Sequence, residues 1–466
     1  MMFQSWFCRG NVVQYVAAIS GALSIASYGM NSTWMSPFLP YLLSKSSIIP
    51  MNSDEAAWCA IAPLIGCIFG ALIGANLTDR IGRKYTILIM APVVFICQIG
   101  IGYATDVWYL FALRMTIGVT DGACLTAMPM YVGEIASPDK RGFLSSLVCL
   151  FFLCGALLIN TLGSFFSIWT CSIVGACIPA VHFIGFIFMP ESPHFYVKVK
   201  EYQKAERSLR IFRGDSNVAK ELEMLKDSVR LQEEIPKFTD LFTVPSNRKA
   251  TGIYVILSLA VRATAKAPFS SYTRLVFEES ESSLSPIAST IACCAVELLV
   301  VMFTTYFIID RFGKRFLAII SLAGCGVALC VMGLYFYLKD YHRDALPYLN
   351  WLPLTTLVFY TVLHSIGISY AHMCYLSELF PTNVKANALC LAEILMVSTG
   401  AISTKMFQLM NDGFGTMWVS FFCFTGFCAV NLFFIVKYVP ETRGKSLDEI
   451  QMFLKGEQEQ TNQFKA

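Results

Sequence analysis

Several ionisable side chains lie where ionisation is expensive. Asp121, Arg262, Lys266, Glu297, His364, His372 and Glu393 all fall inside long apolar stretches of the 466-residue chain. A charge at the centre of a bilayer costs about 2.5–3.5 kcal/mol even on insertion scales. Each of these groups must therefore face a polar cavity or meet a partner. Arg262 and Lys266 are one helical turn apart, and Glu297 lies mid-way along the next apolar stretch, at a depth close to that of Arg262 by residue count. Arg262 or Lys266 is expected to pair with Glu297, either lining a cavity or bracing two helices. His364 and His372 read as hydrogen-bonded helix residues rather than proton carriers, and Lys405, near the end of its stretch, as a snorkelling lysine. With Asn160 and Tyr272, the groups Arg262, Lys266, Glu297, His364 and His372 form the candidate solute-binding set. No nucleophile beside a base, no metal-ligand spacing and no phosphate-cradling glycine loop accompanies them. The chemistry on offer is binding rather than bond-making, so neither catalysis nor a cofactor or metal is expected.

A second set of charges recurs at the ends of the apolar stretches. It comprises Asp79, Arg80, Arg83, Glu134, Arg141 and Glu191 in the first half, and Asp310, Arg311, Arg315, Glu378, Lys385 and Glu441 in the second. Acid and base alternate within it, which suits a network of bridges tying helix ends together. Such bridges, only moderately screened at a membrane boundary, can weight one state of a conformational equilibrium by a few kcal/mol.

The elements that position both sets follow from composition. The chain is 56% hydrophobic and 14% charged, against about 25% charged in a soluble domain, and its mean hydropathy is +0.58. Apolar runs of membrane-spanning length predict helices near 12–34, 56–77, 86–105, 108–132, 142–163, 167–189, 251–275, 286–309, 316–338, 351–376, 387–410 and 416–439. The first lacks the small-residue cleavage site of a secretory signal and is read as a span. Residues 190–250, rich in Lys, Arg, Glu and Gln, carry helical patterning in Glu201 to Arg213 and Val218 to Glu234. The expected division is a six-helix bundle over 1–189, a cytoplasmic helical linker over 190–250, a second bundle over 251–439 and a tail over 440–466. Arg80, Arg83, Lys84, Lys140, Arg141, Arg311, Lys314, Arg315 and Lys385 share one side with the linker, which by the positive-inside rule places both termini in the cytoplasm. A net charge of +3 spread over short loops argues against nucleic acid. The 17 cysteines, mostly within apolar runs and without CxxC pairs, read as small hydrophobes. The fold class is an all-α membrane protein in contact with the bilayer, taken to work as a monomer.

The chain also repeats itself. DRIGRK at Asp79 to Lys84 returns as DRFGKR at Asp310 to Arg315; GEIASPDKRG at Gly133 to Gly142 returns as SELFPTNVKA at Ser377 to Ala386; PES at Pro190 returns as PET at Pro440. Three paired motifs in one order mark two copies of a six-helix unit, an architecture of transporters.

With RMTIG at Arg114 to Gly118, PESP at Pro190 and PETRGKSLDEI at Pro440 to Ile450, these motifs resemble the sugar porter family of the major facilitator superfamily over nearly the whole chain. The first span, with STWMSPFLP, is most similar to the insect facilitated trehalose transporter branch. The resemblance implies twelve helices in two rocking bundles, a central sugar site and a cytoplasmic helical domain latching the inner gate, in a multi-pass protein of the plasma membrane. It also exposes departures. Cys149 stands where the family places a fifth-helix glutamine, Val261 and Arg262 replace its Gln-Gln pair, and Ala267 and Leu298 replace asparagines. Met373 stands in place of a tryptophan, and His372 in place of a proline. The expected function is facilitative transport of a hexose, trehalose or similarly sized polar solute. The alternatives are a non-transporting sugar sensor, or a carrier, with or without proton coupling, for a charged organic solute.

Overall fold

The computed structural model describes residues 10–137, 139–214, 218–230, 238–282, 284–307, 313–343, 346–380, 384–442 and 447–455. Among them, twelve helical segments are long and apolar enough to cross a membrane. The chain divides into two compact units, Met1–Glu234 and Ile235–Ala466.

In the first unit, α1 (Gly10–Thr33) and α2 (Met35–Leu42) make one span. It is followed by α3 (Ser53–Arg80), α4 (Arg83–Gly102), α5 (Val107–Ile135), α6 (Arg141–Phe165) and α7 (Ile168–Phe186). Helix α3 starts before its apolar run because Asn52 and Glu55 form a capping box, the Asn52 side chain accepting from the Glu55 N–H at 2.8 Å. It runs on through Asp79 and Arg80, so the span is longer at both ends than hydropathy indicates. Helices α3 and α5 cross closely on small residues. A Cβ at Gly66 or Gly70 would strike the backbone of α5, and one at Gly118 or Gly122 the backbone of α3. In lipid, where apolar burial drives little association, such backbone approach is what holds helices together. The faces away from this packing carry large apolar groups such as Ile96 and Phe165, 66% and 67% exposed, suited to acyl chains.

Three short helices complete this unit: α8 (Pro193–Lys198), α9 (Tyr202–Arg213) and α10 (Ala219–Arg230). They share a small core of Val197, Ala205, Leu209, Val218 and Leu222. Gly214, at φ +68°, ends α9 in the left-handed conformation that glycine adopts without strain. Arg213 ties this group to the bundle by donating to the Ile135 carbonyl at 2.7 Å while pairing with Glu221.

The second unit begins with α11 (Asp240–Thr243). Its seventh span combines α12 (Pro245–Ala263) and α13 (Lys266–Glu279); α14 (Pro286–Phe307) and α15 (Lys314–Tyr341) follow, then the short α16 (Leu346–Leu349). The tenth span combines α17 (Leu352–Ile366) and α18 (Ile368–Leu379). Helices α19 (Lys385–Phe414) and α20 (Met417–Tyr438) are the last spans, before α21 (Leu447–Lys455). Helix α12 starts at Pro245, within the stretch the sequence assigns to the linker. Proline at N1 needs no N–H partner there and favours helix initiation.

Breaks interrupt the first span of each unit. Pro37 and Pro268 each lack an N–H and crowd the carbonyl four residues earlier, at Thr33 and Thr264. In the first unit the helix is interrupted at Trp34, whose backbone stays right-handed at φ −54° and ψ −37°. In the second it turns at Ala265, which takes φ +64°, a left-handed conformation uncommon for a residue with a Cβ. A further break falls at Gly367, where a Cβ would meet Ser321 and the Leu317 backbone of α15.

Candidate functional site

The charged hairpins come together as one device in each unit. In the first, Gly82 at φ +99° starts α4 without a side-chain cap. The Glu191 carboxylate supplies one, accepting the N–H groups of Arg83 at 3.1 Å, Lys84 at 3.0 Å and Ser192 at 2.8 Å. An anion at a helix N-terminus is held by both the free N–H groups and the helix dipole. A Cβ at Gly82 would collide with that carboxylate, so the glycine of DRIGRK makes room for it. Arg83 meets Glu134 at 3.0 Å and donates to the Thr78 carbonyl, and Ser192 Oγ donates to Glu134. Tyr131 donates to the Pro190 carbonyl at 2.8 Å, Lys84 Nζ to the Ile187 carbonyl, and Lys198 pairs with Asp79 at 2.7 Å. Burial pushes the Glu191 carboxyl above its ordinary range, against the pull of the Lys84 and Ser192 N–H groups and Arg83. His194 Nδ1 lies 3.7 Å from Glu134. Burial lowers that imidazole below its ordinary value of 6.5; Glu134 opposes the shift and the Arg83 and Lys198 charges add to it.

The second unit repeats the device almost atom for atom. Glu441 accepts the N–H groups of Lys314 at 3.1 Å, Arg315 at 3.2 Å and Thr442 at 3.0 Å, capping α15. Lys314 pairs with Glu378 as Arg83 does with Glu134; Tyr375 donates to the Pro440 carbonyl at 2.6 Å as Tyr131 does to Pro190; Arg315 donates to the Val436 carbonyl as Lys84 does to Ile187. The sequence reading needs correcting at several positions. Lys314, absent from the expected charge set, is the partner of Glu378. Arg80 and Arg141 are exposed and make no ion pair or hydrogen bond among the described residues, because the helix turns them away from the carboxylates. Asp310 and Arg311, and the side chain of Lys385, lie outside the described residues. Tyr131, Tyr375, Ser192 and Lys198 were missed, although both tyrosines stand three residues before the acid of their motif, which is a readable signal.

Asn160, on α6 of the first unit, is 2% exposed. Its amide donates to the Ala156 carbonyl, and its Oδ1 has no hydrogen-bond partner. The other solute-site candidates cluster in the second unit around the breaks of the seventh and tenth spans. Lys266, the first residue of α13, pairs with Glu297 of α14 at 2.6 Å, with side chains 26% and 17% exposed. This settles the expected pairing in favour of Lys266. The turn at Ala265 re-aims the chain, leaving Arg262 in the last turn of α12, beside Gly400 of α19 and acting on Glu393 of the same helix. His372, on α18, shares a 3.1 Å hydrogen bond with Ser258 and stacks at a tilt on Tyr254. His364, 3% exposed, stacks on Tyr360, but its Nε2 has no hydrogen-bond partner, unlike the hydrogen-bonded residue the sequence suggests. Tyr272, 5% exposed, packs on Phe407 with its hydroxyl likewise without a partner. Within the second unit the arrangement offers a hydroxyl and an imidazole with unused hydrogen-bonding capacity, beside the Lys266 and Glu297 pair.

Comparison with known proteins agrees with this geometry. The model of the sugar (and other) transporter family matches residues 13–454. The chain is 32% identical over 452 residues to the facilitated trehalose transporter Tret1 of Bombyx mori, covering 95% of this chain and 86% of that protein. It is 28% identical over 448 residues to trehalose transporter 1 of Drosophila melanogaster, where it covers 95% of this chain but only 52% of the relative. Among solved structures, the xylose transporter XylE from E. coli, in a partially occluded inward-open conformation, superposes with a TM-score of 0.78 at 20% identity, over 93% of this chain and 100% of that one. Twelve spans, a duplicated capping device and a family match over nearly the full length converge: the chain is a multi-pass membrane protein of the sugar (and other) transporter family, with the major facilitator fold.

Proposed function

We propose that the protein carries a neutral sugar, trehalose or a hexose, across the plasma membrane down its gradient by alternating access. The observation that carries this reading is two buried polar atoms of the second unit without protein partners, Tyr272 Oη and His364 Nε2. Buried polar atoms are seldom left unsatisfied, and those that are call for a ligand, a water or strain to explain them. The helix breaks at corresponding places in the two units support it, since interrupted segments in matching positions mark transporter binding sites. The names of the Bombyx and Drosophila relatives, transporters of trehalose, point to the solute class.

Compensated charge favours a neutral solute over an organic ion. In the second unit Lys266 is matched by Glu297, and Arg262 attracts Glu393, so the intramembrane charges there oppose one another. The family's own glutamines are replaced, so in this reading the sugar hydroxyls are held within the second unit by Tyr272 and His364, with the Lys266 and Glu297 pair as a polar wall. The carboxylates Glu191 and Glu441, each gripping a helix end, make each bundle a stiff body that can tilt as a whole. The basic hairpin side, both termini and residues 190–250 face the cytoplasm. The test is equilibrium exchange of labelled trehalose and glucose in proteoliposomes. Saturable exchange, weakened by Tyr272→Phe and His364→Phe through KM, is expected; exchange of organic anions or cations but of neither sugar would overturn the reading.

A further inference from the structure

A polar side chain near the start of α1 is wholly enclosed. Gln14 is 0% exposed. Its amide donates to the Phe212 carbonyl at 2.7 Å, and its Oε1 accepts from Ser137 twice, from the backbone N–H at 3.0 Å and from Oγ at 3.2 Å. The Phe212 carbonyl lies in the last turn of α9, where a helix leaves its own carbonyls without partners. Next along the chain, Arg213 donates to the Ile135 carbonyl at 2.7 Å, two residues before Ser137. Gln14, Phe212, Arg213, Ile135 and Ser137 thus close a ring that joins α1, α9 and the turn between α5 and α6. One helical turn back on α9, Ser208 Oγ donates at 2.6 Å to the backbone carbonyl of Glu191, whose carboxylate caps α4. Packing follows the same lines. Phe212, 0% exposed, lies in the apolar core of the bundle with Val13, Ala17, Ile135 and Ala136, while Ala205 and Leu209 of the same helix belong to the small core of the short helices.

We propose that Gln14 is a positioning residue that makes α9 a brace, fixing the hairpin-side ends of α1, α4, α5 and α6 as one piece so that the first unit tilts without flexing. The brace stands on the ring of hydrogen bonds alone; its effect on turnover rests on the transport reading. Two demands meet at this position, a donor for the end of α9 and an acceptor for the turn between α5 and α6. A side-chain amide supplies both at separate atoms, and of the two amides glutamine has the longer reach. Breaking the ring at Gln14 leaves the Phe212 carbonyl and the Ser137 N–H buried without partners, a state that folded chains avoid. Moving α9 away from α1 lets water reach both. Ser208 then draws the Glu191 backbone with it, and the carboxylate leaves the N–H groups of Arg83 and Lys84 uncapped.

The experiment is hydrogen–deuterium exchange with mass spectrometry on the full chain in liposomes, with exchange of labelled sugar measured on the same preparations. Gln14→Met keeps the bulk of the side chain and removes its bonds to Phe212 and Ser137. It is expected to speed deuterium uptake at least about fivefold, the effect of one lost hydrogen bond, in peptides covering α9 and in those covering Arg83 and Lys84. The matching cap at Lys314 and Arg315 should keep its wild-type rate. Ser208→Ala, which cuts the tie to Glu191 but leaves the ring, should speed uptake at Arg83 and Lys84 and leave α9 as it is. In Gln14→Met the maximal rate of sugar exchange should fall about fivefold with KM within about twofold of wild type. Unchanged uptake at Arg83 and Lys84, or equal acceleration at Lys314 and Arg315, overturns the brace. A raised KM at an unaltered maximal rate overturns its part in turnover. Should Gln14→Met fail to fold, Arg213→Met opens the same ring from the other side and is read by the same peptides. Absence of sugar exchange from wild type refutes the transport reading instead, and deuterium uptake still decides the brace.

Discussion

Removing both members of the Lys266 and Glu297 pair should cost about as much as removing one. At 2.6 Å and an effective dielectric constant of about 20, their Coulomb attraction is roughly 6 kcal/mol. Desolvation consumes a large share of that, and the side chains, 26% and 17% exposed, are incompletely dehydrated. A coupling of about 2–4 kcal/mol remains. Lys266→Met and Glu297→Gln should each destabilise by about 3 kcal/mol, because each strands the other charge in an apolar setting. For a unit of this size that is a fall in Tm of roughly 6–12 °C. The double variant should then lose about 2–4 kcal/mol, in place of the roughly 6 kcal/mol expected of independent residues. A parallel cycle with Arg262→Met and Glu297→Gln should show coupling below about 0.5 kcal/mol, as expected for residues that do not pair. Thermal unfolding of purified protein, followed by loss of the monodisperse chromatographic peak, reads all six samples. Equal coupling in the two cycles, or additive losses in the first, would refute the assignment of Lys266 as the partner.

The duplicated caps give a second expectation: Glu191→Gln and Glu441→Gln should each destabilise by about 1–2 kcal/mol by weakening charge-assisted bonds to three N–H groups. Tyr131→Phe and Tyr375→Phe, losing one bond each, should cost about 1 kcal/mol in the same assay. Pro268→Ala should let the seventh span run on through Ala265, carry Lys266 away from Glu297 and slow sugar exchange by roughly tenfold, about 1.4 kcal/mol; unchanged exchange would separate the break from function. His194 gives a pH dependence of defined sign. Its folded value lies below 6.5, so the unfolded chain binds more protons as the pH falls through that value. Its contribution to stability is complete above the ordinary imidazole range and is lost on acidification below it. The Tm of wild type should therefore fall over that interval more steeply than that of His194→Leu.

Most of the scaffold was readable because membranes impose simple rules. Spans announce themselves by length and polarity, and the twice-written hairpins announced the duplication before any coordinates did. The readings failed where one residue redirects the chain. Pro268 sits inside an apolar run that hydropathy counts as continuous, yet the carbonyl of Thr264 cannot accept a bond from it. Counting depth along an unbroken helix therefore left Arg262 level with Lys266 as the candidate partner of Glu297. Lys314 was left out of the charge set for a similar reason. Two adjacent cations are equivalent in a motif, and only helix phase decides which one meets Glu378. Asn31 illustrates the reverse case: its Asn-Ser-Thr triplet matches a glycosylation signal, but the residue is 2% exposed and spends its amide on Asp121.

The measurement that bears most directly on the transport reading is counterflow of labelled trehalose into proteoliposomes preloaded with unlabelled sugar, with glucose as competitor and no ion gradient imposed. Transient, saturable accumulation of label above the level in protein-free vesicles is expected, diminished in Tyr272→Phe. Label that enters no faster than into protein-free vesicles, for trehalose and glucose alike and with the protein shown to be folded, would contradict sugar transport by this chain.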